Sequence, residues 1–520
     1  MKDRTAMLVL VAAFVLAAVA VDPRGNFPLN DDWGVGFTTF TLLRSGTIEF
    51  TPFASATAYL QFVWGALWAA LFGETFTVLR FATLTLSLGS TLLAYRLLRY
   101  ANVAPALATF GAAALLFHPL FFWASFTSMT HVPFVFTSLV AASLFVRAWD
   151  REGIWLALAF AACVASFFTR QFGILNALAP LAVALIHRRR NVALTYAAAA
   201  LVFGALVLSG VLVASQKELV LHRPSIAGLA VRGTHYLFFN WQNAALFFAP
   251  LLLLLLLAHG RVRLSRPVML IAAPVFLYAS WRMTAIGMPL PYMNSGNVFT
   301  DFGLGPPTLR DVFTLRMPHP FALPWSVRLV LMTVTTIGAL LATGVTGAAA
   351  RVENVLARYC VAYLTLGTIF VAAMRINFDR YSIDTAWPFG ILLVLLASTT
   401  QLTYASRITA AALLAVAIVF SICGTAEYLA WNRSRWQAYT FLRAHGVPLE
   451  KMDGGYEINA LLALREGRKD LGKRGVGVVD DRYILSFNAE VPGYRRVQSF
   501  EYPRWLGLGR GAVHVQVRGS

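Results

Sequence analysis

Apolar residues in this chain come in long unbroken runs, not at the two- or 3.6-residue spacings of elements with one wet face. The first run spans 5–21, and comparable runs recur to about Tyr428. In hydrocarbon every backbone amide must find its partner within the chain, so runs of this length become helices. The pattern predicts about thirteen membrane spans, at about 5–21, 78–98, 103–119, 131–147, 154–169, 171–187, 192–214, 237–258, 267–283, 325–345, 358–374, 386–400 and 408–428. One further run, 58–72, is too short for the roughly twenty residues that cross a bilayer. With Tyr59, Trp64 and Trp68 it reads as a helix lying at the interface.

Placing 58–72 outside the membrane fixes the sidedness. Arg96/Arg99, Arg147/Arg151, His187 to Arg190, Arg261/Arg263/Arg266, Arg351/Arg358 and Arg407 then fall on the same side as the N-terminus. That is the positive-inside arrangement, so the N-terminus is expected in the cytoplasm. The opposite face receives the loops at about 22–77, 215–236 and 284–324, and the tail after about 429. The expected domains are a transmembrane unit over 1–430 and a second unit over 431–520. The first run is read as an uncleaved anchor and not a signal peptide, because many further spans follow it.

Composition removes rival classes. The chain of 520 residues is 58% hydrophobic and 13% charged, far below the charge of an ordinary soluble domain. Its net charge of +19 does not point to nucleic acid. Much of it lies in short loops between apolar runs, where basic residues set topology and meet lipid headgroups. Cys163, Cys360 and Cys423 all fall inside apolar runs without ligand spacing, and are expected to be packing residues.

The polar chemistry gathers on the outer face. Asn26-Phe27-Pro28-Leu29-Asn30-Asp31-Asp32-Trp33 sets two adjacent carboxylates about ten residues after the first span. One of them can take a proton from a hydroxyl as general base; equally, one can cap the helix that begins near Trp33. Ser128-Met129-Thr130-His131-Val132-Pro133-Phe134 precedes a span, and its His131 can accept a proton, bind a divalent metal, or serve structure alone. Arg170, pinned between two spans, either grips a phosphate or snorkels to headgroups. The segment 375–385 carries Arg375, Asp379, Arg380, Tyr381 and Asp384. Its arginines suit a phosphate, unless Asp379 simply pairs with one of them. The Pro- and Gly-rich loop at 284–324 holds Tyr292, Asn294, Asn297, Asp301, Arg310, Asp311 and His319, and reads as a lid or a surface connector.

The ordered set Asp31-Asp32, an interfacial segment ending Leu71-Phe72-Gly73, and Val78-Leu79-Arg80 opening the second span resembles the GT-C superfamily of polyprenyl-phosphate-sugar glycosyltransferases. Protein O-mannosyltransferases and lipid A aminoarabinose transferases are among its members. The resemblance covers roughly the first 190 residues and, loosely, the span layout. It implies a mainly α, polytopic helical bundle that moves a sugar from a lipid-linked donor to a glycan, lipid or protein acceptor at the outer face of a bacterial inner membrane. It casts Asp31 or Asp32 as the base, and Arg80, Arg170, Arg380 and Tyr381 as donor-phosphate ligands. Relatives often carry Asp where this chain has His131, a departure that weakens a two-carboxylate site. A flippase or transporter of lipid-linked saccharides, or a non-enzymatic assembly protein, would share the basic residues without needing the acid pair.

After about 431 charge rises and membrane-length runs stop. Segment 434–445 reads as an amphipathic helix, and 476–479, 482–487 and 512–517 read as strands. A small α+β extracytoplasmic domain is expected. Asp453-Gly454-Gly455-Tyr456-Glu457 reads first as a tight turn and second as part of a site.

Overall fold

The runs become helices, and their breaks fall where the chemistry demands. The computed structural model describes residues 2–51, 57–209, 226–259, 264–292, 296–374, 376–467, 478 and 480–519. Its helices are α1 (Asp3–Val21), α2 (Asp32–Ser45), α3 (Tyr59–Phe72), α4 (Phe76–Tyr100), α5 (Pro105–Leu116), α6 (Pro119–Ser125), α7 (His131–Arg151), α8 (Ile154–Phe167), α9 (Leu175–Ile186) and α10 (Arg190–Leu208). They continue as α11 (Ile226–Phe247), α12 (Ala249–Leu256), α13 (Arg266–Ala285), α14 (Arg310–Phe313), α15 (Trp325–Ala349), α16 (Val355–Ala373), α17 (Ile383–Ser398), α18 (Tyr404–Ala444) and α19 (Tyr456–Arg465).

Among the described residues eight helical stretches are long and apolar enough to cross a membrane, and ten if the bent pairs α5 with α6 (66°) and α11 with α12 (76°) each count as one. The protein is therefore a multi-pass membrane protein. Both bends have proline behind them. Pro119 opens α6 and Pro250 sits in the first turn of α12; each lacks the N–H that would continue the ladder and crowds the carbonyl four residues back. The other three expected spans are helical but shorter, at Ile154–Phe167, Gln171–Ile186 and Arg190–Leu206. α3 is likewise short. Leu60, Val63, Leu67, Leu71 and Phe72 are exposed on it, while Gln61, Phe62, Gly65 and Ala69 are buried. That two-faced pattern suits an interfacial position.

α18 departs from expectation. The span at 408–428 and the separate helix at 434–445 are one helix of 41 residues, about 60 Å long at 1.5 Å per residue. No proline interrupts 404–444, so nothing forces a break. The expected domain boundary at 430/431 falls inside it.

Beyond α18 a four-stranded sheet forms in the order β3 (Met452–Asp453), β4 (Tyr483–Ser486), β6 (Gly509–Arg518), β5 (Tyr494–Arg504). The first pair is parallel and the others antiparallel. A small hairpin, β1 (Phe299–Thr300) and β2 (Gly303–Leu304), lies in the long loop before α15. β4 and β6 match the expected strands at 482–487 and 512–517, whereas most of 476–479 lies outside the described residues. β5 was not foreseen: it is a largely exposed edge strand rich in charge, so its apolar positions do not alternate cleanly.

Polar ties hold α18, the long loop before α15 and the C-terminal segment together. Arg435 of α18 is fully buried and donates to Glu457 Oε2 at 2.6 Å and to Thr308 Oγ1 at 3.0 Å. Arg504 donates to Glu427 Oε1 at 3.0 Å, and Asp311 accepts from the amides of Phe487 and Asn488. Removing one partner of a buried pair strands the other charge, at a cost of about 3–5 kcal/mol. Arg435→Met should therefore lower the unfolding temperature of the purified protein sharply, while Arg504→Met, at a more open pair, should lower it less. Equal melting of wild type and Arg435→Met would show that the pair does not hold these elements.

Candidate functional site

The first loop turns sharply at Asn30, whose φ of 51° lies in the left-handed region that Asn tolerates better than most residues. This turn delivers Asp31 and Asp32 to the start of α2. Asp31 occupies the capping position but makes no side-chain cap. Its carboxylate points elsewhere. Oδ2 accepts from Arg380 Nη2 at 2.8 Å and Oδ1 accepts from the Tyr456 hydroxyl at 2.8 Å. The Asp31 side chain is 27% exposed while Arg380 is nearly closed off. Asp31 is thus the acid that faces the mouth.

Asp32 is buried and accepts from the Ser128 amide at 2.9 Å. Gln61 of α3 donates to the Ser128 carbonyl at 2.8 Å, so the interfacial helix and the first loop hold the 128–130 turn from both sides. Burial drives the Asp32 carboxyl up to about 7, against the opposing pull of Arg80 and the Ser128 amide.

Arg380 sits in a 3-10 turn, Asp379–Ser382, before α17. Asp379 does not take its side chain. Asp379 accepts instead from the amides of Val298 at 3.0 Å and Phe299, which lie in the long loop. Arg380 donates Nη1 to the Gly296 carbonyl at 2.9 Å, and its buried Nε has no hydrogen-bond partner among the described residues. The 284–324 loop therefore packs on the arginine turn. Its Arg310 meets Asp453 at 3.0 Å and also pairs with Asp481. Arg375 and Asn294 lie outside the described residues.

Behind this mouth, Asp384 holds Arg170 Nε at 2.7 Å and lies 3.2 Å from His131 Nδ1, while Arg170 also donates to Thr130 Oγ1 at 2.8 Å. The Tyr381 ring joins the two groups. The Arg170 and Arg380 guanidinium carbons stand 4.9 Å and 5.5 Å from its centroid, and the His131 ring is 5.7 Å away. Residues from the first loop, 128–131, 170, 380–384 and 456–457 thus form one connected cluster.

Solved structures resemble the chain, whereas no family model and no curated protein matches it. ArnT from Cupriavidus metallidurans bound to undecaprenyl phosphate shares 14% identity at a TM-score of 0.43, over 84% of this chain and 72% of that one. The apo state of the same protein gives 15% and 0.43, over 89% and 72%. The S. cerevisiae protein O-mannosyltransferase Pmt1-Pmt2 complex bound to the sugar donor gives 17% and 0.30, over 40% and 32%.

That geometry sorts the expected site residues. Asp31, Arg380 and Tyr381 meet at the mouth. Arg80 is turned into the protein. It is completely buried and donates to the carbonyls of Pro23 at 3.0 Å, Gly25 at 2.7 Å and Phe27, so it pins the loop that carries the acids. Arg170 is likewise committed, to Asp384 and Thr130. His131 has Asp384 as its carboxylate neighbour, and Arg170 shares that carboxylate. Among the described residues no group of three His, Cys, Asp or Glu side chains is placed to hold a metal ion. Tyr456 was missed as a site residue. Its only sequence signal was the Gly454-Gly455 turn, which reads equally well as a connector.

The raised Asp32 carboxyl sets a pH signature. The folded chain keeps until about pH 7 a proton that the unfolded chain releases near 3.8. Between those values the folded state binds more protons, so this contribution to stability is greatest at the acid end and fades as pH rises through 7. Its span is on the order of 4 kcal/mol at ~1.4 kcal/mol per pKa unit. Asp32→Asn, which keeps an acceptor for Ser128, should remove this slope. Thermal unfolding from pH 5 to 8 should show the variant gaining on wild type as pH rises; parallel curves would contradict the assignment.

Proposed function

We propose that this protein is a membrane glycosyltransferase that takes a sugar from a polyprenyl-phosphate donor and passes it to a hydroxyl-bearing acceptor at the outer face of a bacterial cytoplasmic membrane. The observation that carries this reading is the meeting of Asp31 with Arg380, 349 residues apart, at 2.8 Å beside the partly buried Tyr381 ring. A prenyl tail keeps its phosphate at headgroup depth, so the chemistry must occur where an acid and a cation share the interface.

The roles follow from charge. The acceptor hydroxyl is a weak nucleophile, and Asp31 is the accessible carboxylate that takes its proton. The oxygen forms a bond to the anomeric carbon as the bond from that carbon to the phosphate oxygen breaks. The phosphate leaves with the electron pair and needs no general acid. Positive charge stabilises it, and Arg380, beside Asp31, supplies that charge. A single displacement inverts the anomeric centre. Arg170 adds its charge from behind Tyr381 without touching the donor. The acceptor, whether glycan, lipid or protein, would approach from the side where Asp31 is open.

The test uses purified protein in nanodiscs with a panel of synthetic polyprenyl-phosphate monosaccharides, reading release of polyprenyl phosphate. Asp31→Asn should cut turnover by about 100-fold or more while donor binding persists. Arg380→Ala should weaken both donor KM and kcat, because it contacts the phosphate in ground and transition states. Donor that is bound yet never consumed by wild type would favour a flippase, and full turnover by Asp31→Asn would remove the acid-base role.

A further inference from the structure

Two consecutive residues of the C-terminal segment grip two consecutive residues of the acid-bearing turn. Glu457 Oε1 accepts the Asn30 amide at 3.0 Å, and the Tyr456 hydroxyl donates to Asp31 Oδ1 at 2.8 Å. Asn30 is the residue in the left-handed region, so Glu457 holds the turn at its least favourable backbone conformation.

The gripping pair is itself fixed from every side. The Tyr456 amide donates to the Thr308 carbonyl at 3.1 Å. Its ring packs edge-on against Trp33, centroids 6.0 Å apart, and lies 5.9 Å from Phe313. Gly455, at φ +87°, has room for no Cβ, since one would stand 2.8 Å from the Thr308 carbonyl oxygen. Asp453 accepts from the Gly455 amide at 3.0 Å and from Asn459 Nδ2 at 2.8 Å. Arg435 and Thr308 hold the other oxygen of Glu457. A turn needing only to connect two elements has no use for two side chains buried against residues more than 400 positions away.

We propose that Tyr456 and Glu457 are positioning residues for Asp31: Tyr456 fixes the carboxylate through one oxygen while Arg380 fixes the other, and Glu457 fixes the turn that presents it. The C-terminal segment is then a working part of the active site. This inference rests on the functional reading above.

Tyr456→Phe keeps the ring and deletes only the hydroxyl. In nanodiscs with the same synthetic donors, kcat should fall about tenfold, as for loss of a charge-assisted hydrogen bond. The donor KM should stay within about twofold and the melting temperature should not move. A wild-type kcat in Tyr456→Phe, or a loss matched by falls in stability and donor affinity, overturns the inference. Hydrogen exchange gives a readout without turnover: Glu457→Ala should speed exchange at residues 27–33, and unchanged exchange counts against the clamp. If Asp31→Asn is inactive while Tyr456→Phe is normal, only this inference fails. If Asp31→Asn is fully active, the functional reading fails with it.

Discussion

A guanidinium leaves water only when a counter-charge or a set of carbonyls takes its protons, because the desolvation cost is otherwise several kcal/mol. Among the described residues four arginines are almost wholly buried: Arg80, Arg170, Arg380 and Arg435. They meet the constraint in three ways. Arg80 gathers three carbonyls of the first loop. Arg170 and Arg435 each take a carboxylate and a threonine hydroxyl. Arg380 takes one carbonyl and Asp31. Among these four, only Arg380 pairs with a carboxylate that is itself partly open to solvent.

The membrane character was legible because it depends on local composition. A helix or bent helix pair stands at every expected span, and the short run at 58–72 does form a short helix with an exposed apolar face. Boundaries failed where no local signal existed. α18 runs through 429–433 because nothing there breaks a helix, and β5 lacks alternation because most of its residues, on both faces, are exposed.

The site was legible by residue type but not by partner. Asp31, Arg380 and Tyr381 stood out as polar groups beside membrane-length runs. That Asp31 pairs with Arg380, and Asp384 with Arg170 over 214 positions, is set by the path of the bundle, which no motif encodes. The same limit explains Arg80. An arginine opening a span beside acids invites a phosphate role, yet the carbonyls that claim it become visible only once the 23–27 segment folds back over α4. Tyr456 was read first as part of a tight turn for the opposite reason, since a tyrosine after two glycines in a polar tail carries no mark of its distant partner.

The unbroken length of α18 has a mechanical meaning. A rod without a hinge cannot tilt in the bilayer at one end while standing still at the other. Its N-terminal half is apolar and largely uncovered by the rest of the protein, and its C-terminal half holds Arg435, the partner of Glu457. A tilt of one end is therefore carried along the rod to Glu457, which holds the Asn30 turn.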